Sequence, residues 1–344
     1  MNVEFHDTGK DSADLVHVHR GELIESVHRG TVVVVEDGEV VFAAGDPGLV
    51  TYYRSTAKLF QSMALVTTGA ADRFGLDDKA LAIAAGSHNA TEEHIAVVRE
   101  MLERAGVPED ALGCGGHWSI DKRRGREQVA EVGPHVKPLP AIWSNCSGKH
   151  AGMLAIAKAT DLELETYLHP EHAVQKEITR IVATLAGRHP SDVELGVDGC
   201  GAPVHGISVQ EMAYSLAAFG APDQIEDATL RQAARRVGNA VSAHPEMVAG
   251  GKRFDTDLMT SASTRILSKS GAEGVQGVAV PERKMGLAIK VDDGHDRGYR
   301  LPVIELLRRF GVLSQDEADG LAERHGRTVK NWAGAEVGHL EVVL

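Results

Sequence analysis

Ser55 and Lys58 are a pair whose types and spacing could do covalent chemistry. Positions three apart share one face of a helix, so the lysine stem can reach the serine hydroxyl. Serine is a weak nucleophile until a base takes its proton, and an uncharged amine can be that base. The local sequence favours the uncharged form. The stretch Tyr52 to Lys58 follows an irregular run around Pro47 and leads into Leu59, Phe60, Met63, Ala64, Leu65 and Val66. Such an all-round apolar run predicts a buried helix start. Burial and the positive end of the helix dipole both disfavour an ammonium there. Bringing a lysine from about 10.4 to near 7 takes roughly 4 to 5 kcal/mol of differential interaction. The competing reading is an N-cap serine and a lysine whose head reaches water. Ser119 and Lys122 repeat the spacing in a basic, glycine-flanked loop, so spacing alone does not choose between the two.

Two other stretches gather reactive side chains. Trp143-Ser144-Asn145-Cys146-Ser147-Gly148-Lys149-His150 runs into the apolar Ala151 to Ile156, again placing polar groups at a positive helix end. A phosphate-binding P-loop is excluded, because its earlier glycine falls on Trp143 and its Ser/Thr position is His150. Val193 to Val197 ends in Asp198-Gly199-Cys200-Gly201-Ala202-Pro203, which suits a tight loop after a strand. Cys146 and Cys200 with His150 and His205 could complete a zinc tetrahedron. They could equally be two unrelated buried cysteines. His17 and His19 alternate on one strand face and could hold a metal, although a solvated face explains them more simply.

These groups need elements to position them. Residues 16 to 44 read as strands: Val16 to His19, then Leu23 to Val27, then Thr31 to Val35 joined to Val40-Val41-Phe42 across Glu36-Asp37-Gly38, a hairpin signal. From about 51 to 265 the texture is helical. Leu81 to Ala85 precedes Gly86-Ser87-His88-Asn89, where Asn89 and Glu92 resemble a capping box, and Ile95, Val98, Met101 and Leu102 form one helix face. Residues 113 to 140 read as a surface excursion, and helices are expected at about 173–186, 208–219 and 225–243. Lys269-Ser270-Gly271 then precedes a hairpin of Val275 to Val280 with Met285 to Val291. A helix over 302–311 and a last strand near 340–344 close the chain. Strands at both ends around a helical block predict an α/β (α+β) fold: a terminal antiparallel sheet (1–50 and 265–344) flanked by helices, with a helical subdomain (51–264) inserted.

Composition narrows the function. A net charge of −13 over 344 residues argues against nucleic acid or an anionic membrane as partner. Three scattered cysteines suit a reducing compartment, and the polar N-terminus carries no signal-peptide core, so a cytoplasmic location is expected.

The order Ser55-x-x-Lys58, then Ser87-His88-Asn89, then Lys269-Ser270-Gly271 parallels the motif set of serine β-lactamases and penicillin-binding proteins. Ser87 follows too closely for that family's second motif, and no Ser-Asp-Asn occurs. With Asn145 to His150, Asp198 to Pro203 and Arg253-Phe254-Asp255-Thr256-Asp257, the chain resembles the bacterial type II asparaginases of the Rhizobium kind over nearly its whole length. The resemblance implies a β-lactamase-like fold and hydrolysis of L-asparagine to L-aspartate and ammonia. It makes Ser55 the nucleophile beside Lys58, with a second serine–lysine tandem at Ser87 and Lys269. It implies zinc held by Cys146, Lys149 and Cys200, where the residues alone had favoured His150 over a lysine that must shed its proton. Arg54, His150, Asp198, Gly201 and Ala202 would line the substrate pocket, and a homodimer is implied. Other readings are a different serine amidase, glutaminase or esterase, or a zinc-dependent amino-acid binding protein without turnover.

Overall fold

The computed structural model describes residues 4–6 and 12–344. The chain forms two compact units: residues to Thr56 with Ile207–Ala221 and Asp257–Leu344, and Ala57–Gly206 with Pro222–Thr256.

The first unit is built on a nine-stranded sheet from the two ends of the chain. Its strands are β1 (Glu4–His6), β2 (Ala13–Arg20), β3 (Leu23–Glu36), β4 (Glu39–Ala44), β5 (Leu267–Gly271), β6 (Val275–Val280), β7 (Met285–Val291), β8 (Thr328–Lys330) and β9 (Glu336–Val342). The order is β8-β9-β2-β3-β7-β6-β5, with β4 also paired to β3 and β1 to β4. All pairings are antiparallel except β1 with β4. Two strands expected separately, near 23–27 and 31–35, are one long strand, β3. The expected turn after it is present, with Asp37 and Gly38 both at positive φ, the conformation a two-residue hairpin loop requires. The hairpin of β6 with β7 has the expected bounds.

Helices cover both faces of this sheet. A Cβ on Gly286 of β7 would lie 2.0 Å from the Ala213 carbonyl oxygen, so the helix Val209–Gly220 sits directly on the strand there. Val291, five residues on and therefore on the other face, meets Gly298 of the helix Arg297–Arg309. The terminal sheet flanked by helices is thus present, and the helix Val209–Gly220 belongs with it.

The second unit is mainly helical. Ser147–Ala159, Glu92–Ala105, Asp78–Ala84, Ala173–Leu185 and Ala228–Ala243 supply most of its core. Gly148 permits the close approach of two of these helices, since a Cβ there would stand 2.6 Å from the Ile83 carbonyl oxygen. Two expectations are corrected. The helix at Glu92 is capped by Thr91 with His94 as its reciprocal partner, not by Asn89 with Glu92. The stretch expected as a surface excursion contains the helix Lys122–Val132, capped by Asp121. Its apolar content is too low for periodicity to reveal it, and it is anchored through Gln128, which is buried and accepts from the Ser119 amide. No helix among the described residues is long and apolar enough to cross a membrane.

Candidate active site

Lys58 opens the helix Lys58–Gln61 and is fully buried. Its head does not reach water, and the N-cap position is Ala57, so neither half of the plainer reading of Ser55 and Lys58 describes this turn. Lys58 Nζ lies 2.7 Å from the Gly86 carbonyl, 3.3 Å from the Asn145 carbonyl and 3.0 Å from Ser87 Oγ. Burial pulls its pKa below the ordinary lysine value, and the Lys149 charge adds to the shift against the opposing pull of Cys146 and Cys200. An uncharged amine has two N–H donors and one lone pair. The two carbonyls can only accept. Charged, Lys58 donates to all three oxygens; uncharged, it keeps N–H bonds to the two carbonyls and can accept from the Ser87 hydroxyl, the arrangement of a base holding an alcohol.

The loop presenting Ser87 is fixed from several sides. Gly86 is pressed against the Met247 and Val248 carbonyls, and the Ser87 amide donates to Val248 O at 2.7 Å. Arg253 Nη1 donates to the Ser87 carbonyl at 2.6 Å. His88 meets Ser147 Oγ at 2.8 Å through Nε2 and accepts the Ala90 amide at Nδ1. Burial, with His94, Lys58, His117 and Arg253 nearby, holds His88 well below the ordinary imidazole value, so this support carries no charge.

Around the start of the helix Ser147–Ala159 lies a buried sulfur–amine cluster. Cys200 arrives on the loop between the antiparallel strands Glu194–Val197 and Pro203–Ser208, the turn its sequence predicts. Lys149 Nζ is 3.1 Å from Cys200 Sγ. A hydrogen bond from Cys200, assisted by the Lys149 charge and the neighbouring Lys58 head, holds the Cys146 thiol well below its ordinary value despite burial. The same bond, with burial, pushes Cys200 up. Lys149 is also raised: burial lowers it, but the two sulfurs outweigh that. The cluster therefore favours the thiolate at Cys146 and the ammonium at Lys149. Two sulfurs and an amine nitrogen converging in a dry pocket are a donor set that fits zinc, on condition that Lys149 gives up its proton. His150 and His205 do not complete a Cys₂His₂ set. Among the described residues neither brings a ring nitrogen into a group of three with the two sulfurs; His205 Nε2 meets Thr179 Oγ1 at 3.1 Å, and His150 Nδ1 meets the Tyr167 hydroxyl at 2.6 Å.

His150 has its own chemistry. The Tyr167 hydroxyl accepts the Gly113 amide at 2.8 Å, leaving its own proton for His150 Nδ1. The ring therefore carries its hydrogen on Nε2, which is buried with no partner among the described residues. Burial first, with the Lys149 charge adding to it, holds the ring well below the ordinary imidazole value. An unpaired buried N–H is costly unless a ligand oxygen satisfies it. Asp198 is half-buried, takes the Gly199 amide on Oδ1, and faces the Cys200 thiol at 3.8 Å through Oδ2. Gly201 turns the loop at φ 82° and is exposed, whereas Ala202 is buried, its carbonyl accepting the Asp198 amide.

Three of the residues singled out belong to the first unit. Arg54 adopts φ 51°, sparsely populated for a non-glycine residue, and its Nη1 is 3.6 Å from Glu273 Oε1. Ser55, next in the same tight turn, is half-buried and so open to a ligand. Lys269, on β5, is fully buried, with Nζ donating to the Ser270 carbonyl at 2.6 Å. Thr56 Oγ1 donates to the Lys269 carbonyl at 3.1 Å.

Sequence reasoning missed His117 and Tyr167. His117 Nε2 accepts the Asn145 amide at 3.1 Å, and Nδ1 donates to the Trp118 carbonyl at 2.7 Å, which steadies the Asn145 backbone whose carbonyl meets Lys58. His117 lay in a stretch without periodicity, and no local signal marked it. Tyr167 likewise acts only through contacts remote in sequence.

The family described as L-asparaginase II matches residues 16–342. No curated protein matches the chain. Among solved structures, Mglu in its glutamate form is 16% identical, with 87% of this chain and 65% of that chain covered at a TM-score of 0.46. A second Mglu structure is 17% identical, covering 83% and 68% at 0.44. The chain thus spans about two thirds of the length of Mglu.

Proposed function

Because this chain belongs to the L-asparaginase II family, we propose that it hydrolyses the side-chain amide of L-asparagine to L-aspartate and ammonia through a serine–lysine acyl-enzyme route. The observation that carries the chemistry is the fully buried Lys58 amine, 3.0 Å from the Ser87 hydroxyl and pulled by burial below the ordinary lysine value. Two serines are candidates for nucleophile: Ser55, three positions before Lys58 in the chain, and Ser87, in its hydrogen-bond shell. Ser55 is assigned the attack because it is the more open of the two, whereas Ser87 is 3% exposed. Ser87 then positions Lys58 and passes its proton, and the family resemblance gives Lys269 the part of the second lysine.

In the first step Ser55 Oγ attacks the amide carbon and its proton goes to Lys58 Nζ. The tetrahedral adduct collapses, the C–N bond breaks, and the proton on Lys58 leaves with ammonia. Water then attacks the aspartyl ester, Lys58 taking a proton from it, and breakage of the ester C–O bond returns Ser55 to its starting form. Backbone N–H groups of the Ser55 turn or the Cys200 loop would stabilise the oxyanion. His150, with Nε2–H unsatisfied, suits a substrate oxygen, Asp198 the α-ammonium, and Arg54 the α-carboxylate. Gly201 and Ala202 supply the loop backbone beside it. Cys146, Lys149 and Cys200 would hold zinc, which when bound supplies a fixed positive charge for orienting substrate. A homodimer is proposed from the family resemblance. Ammonia release from L-asparagine, L-glutamine and simple esters tests the reaction. Preference for glutamine or an ester would redirect the reading to another amidase or esterase, and binding without turnover to an amino-acid receptor.

A further inference from the structure

The chain has a second gathering of metal donors, in the sheet unit and unconnected with the amidase reading. Strands β2 and β9 are antiparallel neighbours, with Glu341 opposite His17 and His339 opposite His19. Residues two apart on a strand, and residues directly opposite across a ladder, share a face. His17, His19, His339 and Glu341 therefore stand on one side of this strand pair. One ligand atom each from His17, His19 and Glu341 lie within 4.8 Å of one another, the one such set of three His, Cys, Asp or Glu groups among the described residues. His19 Nε2 is 2.8 Å from Glu341 Oε2, and the His19 and His339 rings stack at 4.6 Å with 2° between their planes. Asp14 Oδ2 is 3.3 Å from His17 Nε2, and Arg29 Nε donates to the other oxygen of the same carboxylate at 2.6 Å.

An ordinary cross-strand ion pair would use one histidine and the glutamate. Here a second imidazole, His17, brings a ligand atom within 4.8 Å of that pair and itself meets the Asp14 carboxylate, the kind of outer partner that orients ligating histidines. We propose that His17, His19 and Glu341 bind a divalent transition ion of the zinc class, with water completing the shell. Two imidazoles and a carboxylate suit Zn²⁺, Co²⁺ or Ni²⁺, and not Ca²⁺ or Mg²⁺, which take oxygen ligands. With ligands on both strands, the ion would clamp the C-terminal strand Glu336–Val342 to Ala13–Arg20.

Cobalt tests this in the full-length protein, because a thiolate site and a nitrogen–oxygen site differ in absorption. Titration with Co²⁺ should show an equivalent without thiolate-to-metal charge transfer. His17→Ala, His19→Ala and Glu341→Gln should each weaken that equivalent by more than the roughly 10- to 100-fold typical of outer-sphere changes, leaving any thiolate band in place. The melting temperature should rise with free Zn²⁺, and the part of that rise contributed by this site should vanish in Glu341→Gln. Mg²⁺ should not substitute. The proposal is overturned if all bound Co²⁺ shows thiolate bands, or if the three variants bind the second equivalent as the parent does.

Discussion

Two groups of donor side chains in this molecule contrast in one property, their access to water. Lys58, Cys146, Lys149 and Cys200 lie in the interior of the helical unit, with Lys58 fully buried and Cys146 5% exposed. His17 and His19, half-buried, and Glu341, exposed, stand on a strand face of the sheet unit that reaches water. In the first group each proton is contested. One amine is pushed toward neutrality, one thiol is pulled toward its anion, and the neighbouring thiol and lysine keep theirs. Coulomb interactions and desolvation are both large where water is excluded, so residue types that are inert on a surface acquire base or thiolate character. On the strand face water screens the same kinds of interaction, and what remains is geometry. The comparison teaches that burial is the source of reactivity here, while donor alignment alone gives at most a binding site.

The sharpest break of that contrast is at the nucleophile. Ser55→Ala should lower ammonia release from L-asparagine by at least about 10³-fold with the melting temperature preserved. Ser87→Ala should cost less, and an inactive Ser87→Ala beside a working Ser55→Ala would exchange their roles. Next is the buried base. Lys58→Met should cost about 10²- to 10⁴-fold in kcat. It should also lower stability by about 1–3 kcal/mol, because the Gly86 and Asn145 carbonyls lose their donor. In the parent protein, kcat/KM should fall as pH falls through the lowered pKa of Lys58, since protonation removes the lone pair. That acid limb should lie below the ordinary lysine value of about 10.4. A limb at or above that value would mean burial does not set the base.

Smaller effects follow at the sulfur cluster. Cys200→Ser should reduce bound zinc, measured by elemental analysis after dialysis, and lower the melting temperature in zinc-containing buffer. Zinc content equal to the parent's would remove the Cys146, Lys149 and Cys200 assignment. The smallest effect belongs to the open face. His19→Gln in metal-free buffer should stay within about 0.5 kcal/mol of the parent in denaturant unfolding, as surface changes do. A larger loss would show that the strand face is as tightly integrated as the buried cluster.

Much of the framework was legible in the sequence because it is written in local periodicity. The hairpin of Val275–Val280 with Met285–Val291, the positive-φ turn at Asp37 and Gly38, and the helix Ala173–Leu185 each depend on residues within one element or its turn. The helix Lys122–Val132 was not legible, since a polar helix held by one buried glutamine carries no apolar stripe. The capping pair was misplaced by two residues because Asn89 and Thr91 are both good caps, and only the chain path shows that Thr91 accepts from His94.

The sequence by itself determined which side chains could do chemistry and their order along the chain: the Ser55 and Lys58 spacing, the two cysteine loops, and the strands at either end. Only the tertiary structure decided who meets whom. It set Lys58 against Ser87 and two carbonyls, paired Lys149 with Cys200, turned His150 toward Tyr167, and brought Glu341 to His17 and His19. The physical reason is range. Helix and strand periodicity record contacts a few residues apart, whereas the protonation of Lys58 depends on water exclusion and on Lys149, Cys146 and Cys200, which are distant in the chain.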